Sequence, residues 1–158
     1  MKTGIFYGST TGTTEMVAEK VGALLGADVM PAAEIDKVEN YDFVIFATST
    51  WGMGDLQDDW FGALETLAGK NLSGKKVALI GVGDQASFGD TFVDGMGTIY
   101  EEIKDKGITL VGKTSVDGYD FSGSKAVVDG EFAGLVIDEN NQSELTEERI
   151  AAWVEKVR

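Results

Sequence analysis

The sequence contains no cysteine and no histidine among its 158 residues. The absence of cysteine excludes disulfide bonds, iron–sulfur clusters bound through the chain's own thiolates, and thiol nucleophiles. The absence of histidine removes the side chain that most often serves as a general base and as a metal ligand. Any redox chemistry of this chain therefore has to be carried by an organic cofactor.

Basic residues are also scarce. There are 13 Lys and Arg against 27 Asp and Glu, which gives a formal net charge of −14 at pH 7. A field of this sign repels nucleic acid and anionic lipid and attracts basic protein surfaces. Taken alone, an excess of carboxylates also suits a protein that only needs to stay soluble. We therefore expect no nucleic-acid partner, and the charge by itself leaves a basic protein partner open.

Long hydrophobic runs are missing as well. No apolar run approaches the roughly 20 residues that a membrane-spanning helix requires, and the N-terminus lacks a basic and apolar leader. A chain of 158 residues that is 43% hydrophobic suits one domain with its own core. We expect a single domain, residues 1–158, that is cytoplasmic and has no membrane partner.

Apolar runs that suit buried strands alternate along the chain with segments of helical periodicity. Residues 41–49 and 75–83 are continuously apolar in the middle, as expected of parallel strands covered on both faces. Gly26 is expected to end the first helix, and Thr146 to cap the start of the last one. The alternation predicts an α/β fold, a doubly wound three-layer sandwich around a parallel sheet.

One segment, residues 113–131, does not follow this alternation. It is polar, rich in Gly and Asp, and has no helical periodicity. Residues 108–112 before it have the composition of a strand, and so do residues 132–138 after it. We predict that residues 113–131 form an insertion that splits the fifth strand in two.

The segment GSTTGTTE, Gly8 to Glu15, lies between the first predicted strand and the first predicted helix. In a doubly wound sheet, ligands bind beyond the carboxyl ends of the strands, where this loop lies. Backbone N–H groups at a helix N-terminus, glycines and hydroxyls are suited to hold a phosphate. The loop has no lysine and matches neither the G-x-x-x-x-G-K-[ST] nor the G-x-G-x-x-G pattern. For this loop alone, an ordinary turn of small residues remains the alternative.

Two further loops at the same edge each place an aromatic residue among glycines. TSTWGMGD, residues 48–55, contains Trp51, and GVGDQASFGD, residues 81–90, contains Phe88. A single aromatic side chain in a loop more often fills the core. Two rings that face each other across a cleft, however, form a slot for a flat aromatic ligand. Together with the phosphate loop, these loops predict a mononucleotide site.

These segments, together with DGYDFSGSKAVVDGEFAGLVIDENNQ at residues 117–142, closely resemble the long-chain flavodoxins over essentially the whole chain. The resemblance implies a flavodoxin-like fold whose parallel sheet has five strands in the order 2-1-3-4-5. It also implies a noncovalently bound FMN. The function it implies is that of an electron carrier rather than an enzyme, passing single electrons at low potential between redox enzymes.

The same resemblance assigns the residues at the phosphate end of the FMN site. The ribityl chain would lie near Thr50. The phosphate would be held by six consecutive residues: Ser9, Thr10, Thr11, Gly12, Thr13 and Thr14. No catalytic residue and no metal site are expected.

At the ring end, the resemblance implies that Trp51 covers one face of the flavin and Phe88 the other, where tyrosine is usual. The carbonyl of the Gly52–Met53 peptide would accept the proton that flavin N5 gains with one electron. The pyrimidine edge would lie beside three residues, largely through their backbone groups: Gly83, Asp84 and Gln85.

Acidic residues are concentrated around the predicted mouth of this site: Asp55, Asp58, Asp59, Asp84, Asp90 and Asp94. We predict that they form a docking face on a monomer, because a carrier needs fast and weak encounters. The expected partners are basic-surfaced redox proteins, such as a ferredoxin/flavodoxin-NADP reductase or another oxidoreductase.

Two other functions occur on the same fold. FMN-dependent NAD(P)H:quinone reductases are one alternative, but no histidine and no basic site for a nicotinamide phosphate supports it. A receiver-like signalling module would need an acidic cluster at the end of the first strand. Tyr7, Gly8 and Ser9 stand there instead.

Overall fold

The computed structural model describes residues 2–51 and 55–158, except for the side chains of Trp51 and Asp55. A 3-10 helix, Ala32–Asn40, lies between the second and third strands. The other elements of the first half are β1 (Thr3–Tyr7), α1 (Thr13–Leu25), β2 (Asp28–Pro31), β3 (Phe43–Trp51), β4 (Asp55–Leu56) and α2 (Asp59–Ala68).

The second half continues the alternation but contains several short strands. A short 3-10 helix, Ser143–Leu145, leads directly into the last helix. The elements are β5 (Lys76–Val82), α3 (Asp94–Ile103), β6 (Thr109–Leu110), β7 (Thr114–Ser115), β8 (Val127–Val128), β9 (Glu131–Phe132), β10 (Leu135–Ile137) and α4 (Thr146–Val157).

The main sheet has the order β2-β1-β3-β5-β10, and these strands are parallel. β6 pairs with the start of β5, where Thr109 lies opposite Lys76, and β10 pairs with its end, where Ile137 lies opposite Val82. β6 and β10 are therefore the two parts of one strand, separated by the insertion. The predicted order 2-1-3-4-5 and the split fifth strand are both confirmed.

Helices cover both faces of the sheet, so the predicted three-layer sandwich is also confirmed. One face packs with α2 and α3 around large buried side chains such as Phe46, Trp60 and Phe92. The other face packs with α1 and α4 and buries Val17, Ile45 and Trp153 among others. Because both faces are covered, only the ends of the central strands are left to form a site.

The insertion is ordered against the rest of the domain. Its short strands form a separate antiparallel sheet, β7-β9-β8. The ring of Phe121 lies 5.4 Å from that of Phe92 and 5.3 Å from that of Phe132, measured between centroids. The Lys125 N–H donates to Oδ1 of Asp94, in the first turn of α3, at 2.7 Å. The insertion therefore packs beside the loop that leads into α3.

The two predicted helix boundaries have different outcomes. Gly26 ends α1 in the left-handed conformation, with φ 68°, as predicted. The prediction that Thr146 is the N-cap of α4 is wrong, because α4 begins at Thr146 itself and has no side-chain cap. The Thr146 hydroxyl instead donates to the Glu139 carboxylate, and the preceding 3-10 turn starts the helix.

Among the described residues, none of the helices has the length and hydrophobicity required to span a membrane.

Two helix-interior glycines allow the packing of the insertion to be tested. A Cβ on Gly97 of α3 would stand 2.6 Å from the carbonyl of Lys125, whereas a Cβ on Gly62 of α2 would meet nothing within 4 Å. We expect Gly97→Ala to lower the free energy of unfolding by about 1 to 3 kcal/mol, since the insertion has to shift. Gly62→Ala should raise it by about 0.5 to 1 kcal/mol through helix propensity. Urea unfolding followed by circular dichroism measures both, and equal stabilities would contradict the described packing.

Candidate functional site

Loops that follow β1, β3 and β5 meet at the carboxyl edge of the sheet and enclose a cavity of about 80 Å³. Seven of the residues predicted from the sequence line it: Thr11, Thr13, Thr14, Thr50, Gly83, Asp84 and Phe88. Three lining residues were not predicted: Ser49, Val82 and Asn140. The structure thus brings together residues that are up to 129 positions apart, from Thr11 to Asn140.

The loop after β1 starts at a glycine where the Cβ of any other residue would force its neighbours to shift. A Cβ on Gly8 would stand 2.3 Å from Oε1 of Gln57 and 2.6 Å from Cδ1 of Trp60. The Gly8 N–H donates to the Ala47 carbonyl, and the Trp60 indole N–H donates to the same oxygen, both at 3.0 Å. The buried Trp60 therefore fixes the point at which the chain leaves the sheet.

Three residues of this loop shape it from outside the cavity. Gly12 has φ 91°, which favours glycine, and its N–H donates to Oγ of Ser9 at 3.0 Å. The Ser9 N–H donates to Oδ2 of Asp59 at 3.3 Å, and the Thr10 hydroxyl oxygen accepts from Nε2 of Gln57 at 3.0 Å. Ser9, Thr10 and Gly12 are thus engaged in closing the loop and do not line the cavity.

The remaining part of this loop is suited to an anion. The backbone N–H groups of Thr11, Thr13 and Thr14 have no hydrogen-bond acceptor among residues 2–51 and 55–158. They lie at the N-terminus of α1, where the helix dipole adds positive potential, and the described residues that line the cavity include no cationic side chain. A phosphate group fits these donors.

The loop after β3 contributes Thr50, whose hydroxyl oxygen accepts the N–H of Gly95 in the first turn of α3 at 2.8 Å. This bond holds the Thr50 side chain at the cavity wall. The predicted roles of the Trp51 ring and of the peptide between Gly52 and Met53 fall outside the described residues and stay predictions.

The loop after β5 approaches the cavity through Gly83 and Phe88. A Cβ on Gly83 would stand 3.0 Å from Cγ1 of Val93 and 3.1 Å from Cε1 of Phe92, so a larger residue would be crowded. The Phe88 N–H donates to the Asp84 carbonyl at 2.9 Å, and its side chain is 38% exposed. An exposed ring at the cavity mouth offers a stacking surface for a flat ligand. A flat aromatic ring system is too large for the cavity itself and would lie at its mouth.

Asp84 and Gln85 hold this loop through side-chain hydrogen bonds. The Asp84 carboxylate accepts the N–H groups of Ala86 and Ser87 at 3.1 and 3.0 Å. Partial burial alone would raise the pKa of Asp84, but hydrogen bonds from the Ser87 backbone and from Asn140 and Asn141 outweigh it and lower the pKa to about 2.

Gln85 is only 7% exposed, and its N–H donates to Oδ2 of Asp138 at 3.0 Å. Because that N–H is already used, Gln85 supports the loop from behind and does not line the cavity.

The predicted acidic face needs one correction. Asp58, Asp59 and Asp90 are exposed, but Asp94 is only 4% exposed. Its carboxylate anchors the insertion by accepting the Lys125 N–H, so the prediction that Asp94 belongs to a surface cluster is wrong.

The sequence and the structure of this chain are both similar to those of flavodoxins. The family model described as flavodoxin matches residues 5–153. The flavodoxin of Nostoc sp. is 43% identical over 99% of this chain and 95% of its own length, and that of Helicobacter pylori is 46% identical over 99% and 96%. The chain belongs to the flavodoxin family.

A solved structure of another flavodoxin, that of Fusobacterium nucleatum bound to flavin mononucleotide, superimposes on this one with a TM-score of 0.94. The two chains are 33% identical, with 99% of this flavodoxin-family chain and 97% of that chain covered. The fold of this family member therefore agrees with that of the relative over nearly its whole length.

The hydrogen bonds to Asp84 predict a pH dependence of stability. Its pKa is lowered in the folded protein from 3.8 to about 2, so the stability that it contributes is complete above about pH 5 and is lost as the pH falls towards 2. We expect the free energy of unfolding of Asp84→Asn to fall less steeply between about pH 5 and pH 3 than that of the wild type.

Asp58→Asn is the matched control, because the Asp58 carboxylate has no hydrogen-bond partner among the described residues. Its stability should follow the wild-type slope in urea titrations at several pH values. Parallel curves for the wild type and Asp84→Asn would contradict the lowered pKa.

Proposed function

We propose that this chain binds one FMN noncovalently and carries electrons between redox enzymes, one at a time and at low potential, without being an enzyme itself. The observation that carries this proposal is the pairing of two features around one cavity. N–H groups without an acceptor in the described part of the chain lie at the start of α1, and the exposed ring of Phe88 lies at the mouth. FMN has a phosphate at one end and a flat ring system at the other, and the FMN-bound relative supports this cofactor.

At the phosphate end, the N–H groups of Thr11, Thr13 and Thr14 and the hydroxyls of these residues hold the phosphate. Gly12, between Thr11 and Thr13, supplies the left-handed backbone conformation of this loop. Ser9 and Thr10 keep the loop closed through their bonds within it and to Gln57. Thr50 contacts the ribityl chain from the wall of the cavity.

At the ring end, Phe88 stacks on one face of the isoalloxazine and Trp51 covers the other. Gly83 and Asp84, which line the cavity, would lie beside the pyrimidine edge, and Gln85, whose N–H donates to Asp138, would support them from behind. The carbonyl of the Gly52–Met53 peptide would accept a hydrogen bond from a proton at flavin N5. Bound FMN supplies the capacity to accept electrons singly, which no side chain of this protein has.

The low potential follows from the charges around the cavity. No cationic side chain lies in the described part of the lining, and Asp84, with a pKa of about 2, is ionised at neutral pH. Each negative charge at contact distance opposes further negative charge on the cofactor by about 1 to 4 kcal/mol near a protein surface. The net charge of −14 acts in the same direction at longer range.

The same charges define the partners. The exposed carboxylates of Asp58, Asp59 and Asp90 attract redox proteins with basic surfaces, such as a ferredoxin/flavodoxin-NADP reductase or another oxidoreductase. Encounters of this kind suit a monomeric single domain, residues 1–158, in the cytoplasm.

A substitution at Thr13 tests the phosphate end of the proposed site separately from the ring end. We expect Thr13→Ala to raise the dissociation constant of FMN about tenfold, because one hydrogen bond to a charged group is lost. The dissociation constant of riboflavin, which has no phosphate, should stay the same. Fluorescence titration of the apoprotein with each flavin measures both constants. An equal loss for the two flavins would place Thr13 at the ring rather than at the phosphate.

A carrier and a quinone reductase differ in their response to NADPH. We expect the FMN-loaded protein to keep its yellow absorbance when NADPH alone is added without oxygen. It should bleach when a catalytic amount of a ferredoxin-NADP reductase follows, since a carrier receives electrons from a partner protein. Absorbance near the flavin maximum records both stages. Rapid bleaching by NADPH alone would contradict the carrier and favour the reductase.

A further inference from the structure

A buried carboxylate lies behind the loop after β5. Asp138, directly after β10, is 0% exposed. Its Oδ2 accepts the backbone N–H of Gln85 at 3.0 Å and the side-chain amide of the same residue at 2.7 Å. Its Oδ1 accepts the backbone N–H groups of Asn140 and Asn141 at 3.1 and 3.0 Å. Asp138 thus connects the end of the split fifth strand to the loop that bounds the cavity.

One side chain joins this carboxylate to that of Asp84. Nδ2 of Asn141 donates to Oδ1 of Asp84 at 2.8 Å and to Oδ2 of Asp138 at 2.9 Å. Carboxylate oxygens only accept hydrogen bonds, so the amide has to present its nitrogen rather than its oxygen to both. Asn141 is therefore a bridge between two acidic side chains.

These hydrogen bonds fix the backbone conformation of the loop after β5. Three consecutive N–H groups are held by the two carboxylates: that of Gln85 by Asp138, and those of Ala86 and Ser87 by Asp84. Both carboxylates are in turn held by Asn141. Asn141 itself does not line the cavity, unlike its neighbour Asn140.

We propose that Asn141 is a positioning residue for the ring end of the cofactor site: by bridging Asp84 and Asp138, it fixes the loop from Gly83 to Phe88 before the cofactor binds. The inference rests on the proposed function, since it concerns the flavin ring. A loop that is fixed in advance loses less conformational entropy on binding, and the affinity is correspondingly higher.

The test compares Asn141→Ala with Gln142→Ala. Asn141 is exposed, so its truncation leaves the core intact. The adjacent Gln142 is the matched control, because its side-chain amide donates to the Gly118 carbonyl in the insertion and touches neither carboxylate. Dissociation constants for FMN and for riboflavin are measured with each apoprotein at a temperature at which circular dichroism shows it to be folded.

We expect Asn141→Ala to raise the dissociation constants of FMN and riboflavin by the same factor, about tenfold, since the ring is common to both flavins. Gln142→Ala should leave both within about twofold of the wild type, a difference too small for a lost hydrogen bond. Thr13→Ala, at the phosphate end, should weaken FMN alone. This pattern distinguishes positioning of the loop from a general loss of stability, which would not change the affinity of protein that is already folded.

Amide hydrogen exchange in the apoprotein gives a second measurement. The N–H groups of Gln85, Ala86 and Ser87 should exchange faster in Asn141→Ala than in the wild type and in Gln142→Ala. Unchanged exchange, unchanged affinity for both flavins, or a loss confined to FMN would each overturn the role of Asn141 while the proposed function stands. A wild-type protein that binds neither flavin would overturn the proposed function and, with it, this inference.

Discussion

The proposed site depends on holding a phosphate dianion in a protein of net charge −14 although the described residues that line the cavity include no cationic side chain. Backbone N–H groups can do this only if they point to one side and have no internal acceptor. The close approach of Trp60 to Gly8 and the left-handed conformation of Gly12 shape the loop that carries these N–H groups. A lysine would bind the phosphate more simply, but it would also make the neighbouring ring easier to reduce.

The loop after β5 is likewise held by neutral hydrogen-bonding groups. Asp84 is kept ionised by hydrogen bonds from neutral groups rather than by an ion pair. On the far side of the loop, the insertion contributes two further contacts: the Asp120 N–H donates to Oε1 of Gln85, and the Ser122 N–H donates to the Gly89 carbonyl at 2.8 Å. The loop after β5 is therefore held from two directions by segments that follow it in the chain by about 30 to 55 residues.

Local pattern predicted the main strands and helices and four lining residues, Thr11, Thr13, Thr14 and Phe88, because strand hydrophobicity, Gly26 and the loop after β1 are encoded over a few neighbouring positions. The strand order and the other predicted lining residues, Thr50, Gly83 and Asp84, required the family resemblance. Neither local pattern nor the resemblance predicted the roles of residues whose partners are distant in the sequence. Asp94 has the composition of a surface acid until the insertion folds back to donate to it, and Asn140 lines the cavity only because the fifth strand ends there. Nothing near Gln85 in the sequence indicates that the Asp138 carboxylate accepts a hydrogen bond from its N–H.

The split of the fifth strand has a consequence for the order of assembly. β10 pairs with β5 across more than 50 residues, from Val82 to Leu135, whereas the pairs among β1, β2 and β3 close shorter loops. Closing the longest loop costs the most chain entropy. We therefore expect the strands in the core of the sheet to pair first during refolding. The pairing of β10, which brings Asp138 to the loop after β5, should come last. In such a protein, the ability to bind flavin reports on completion of the fold rather than on its beginning.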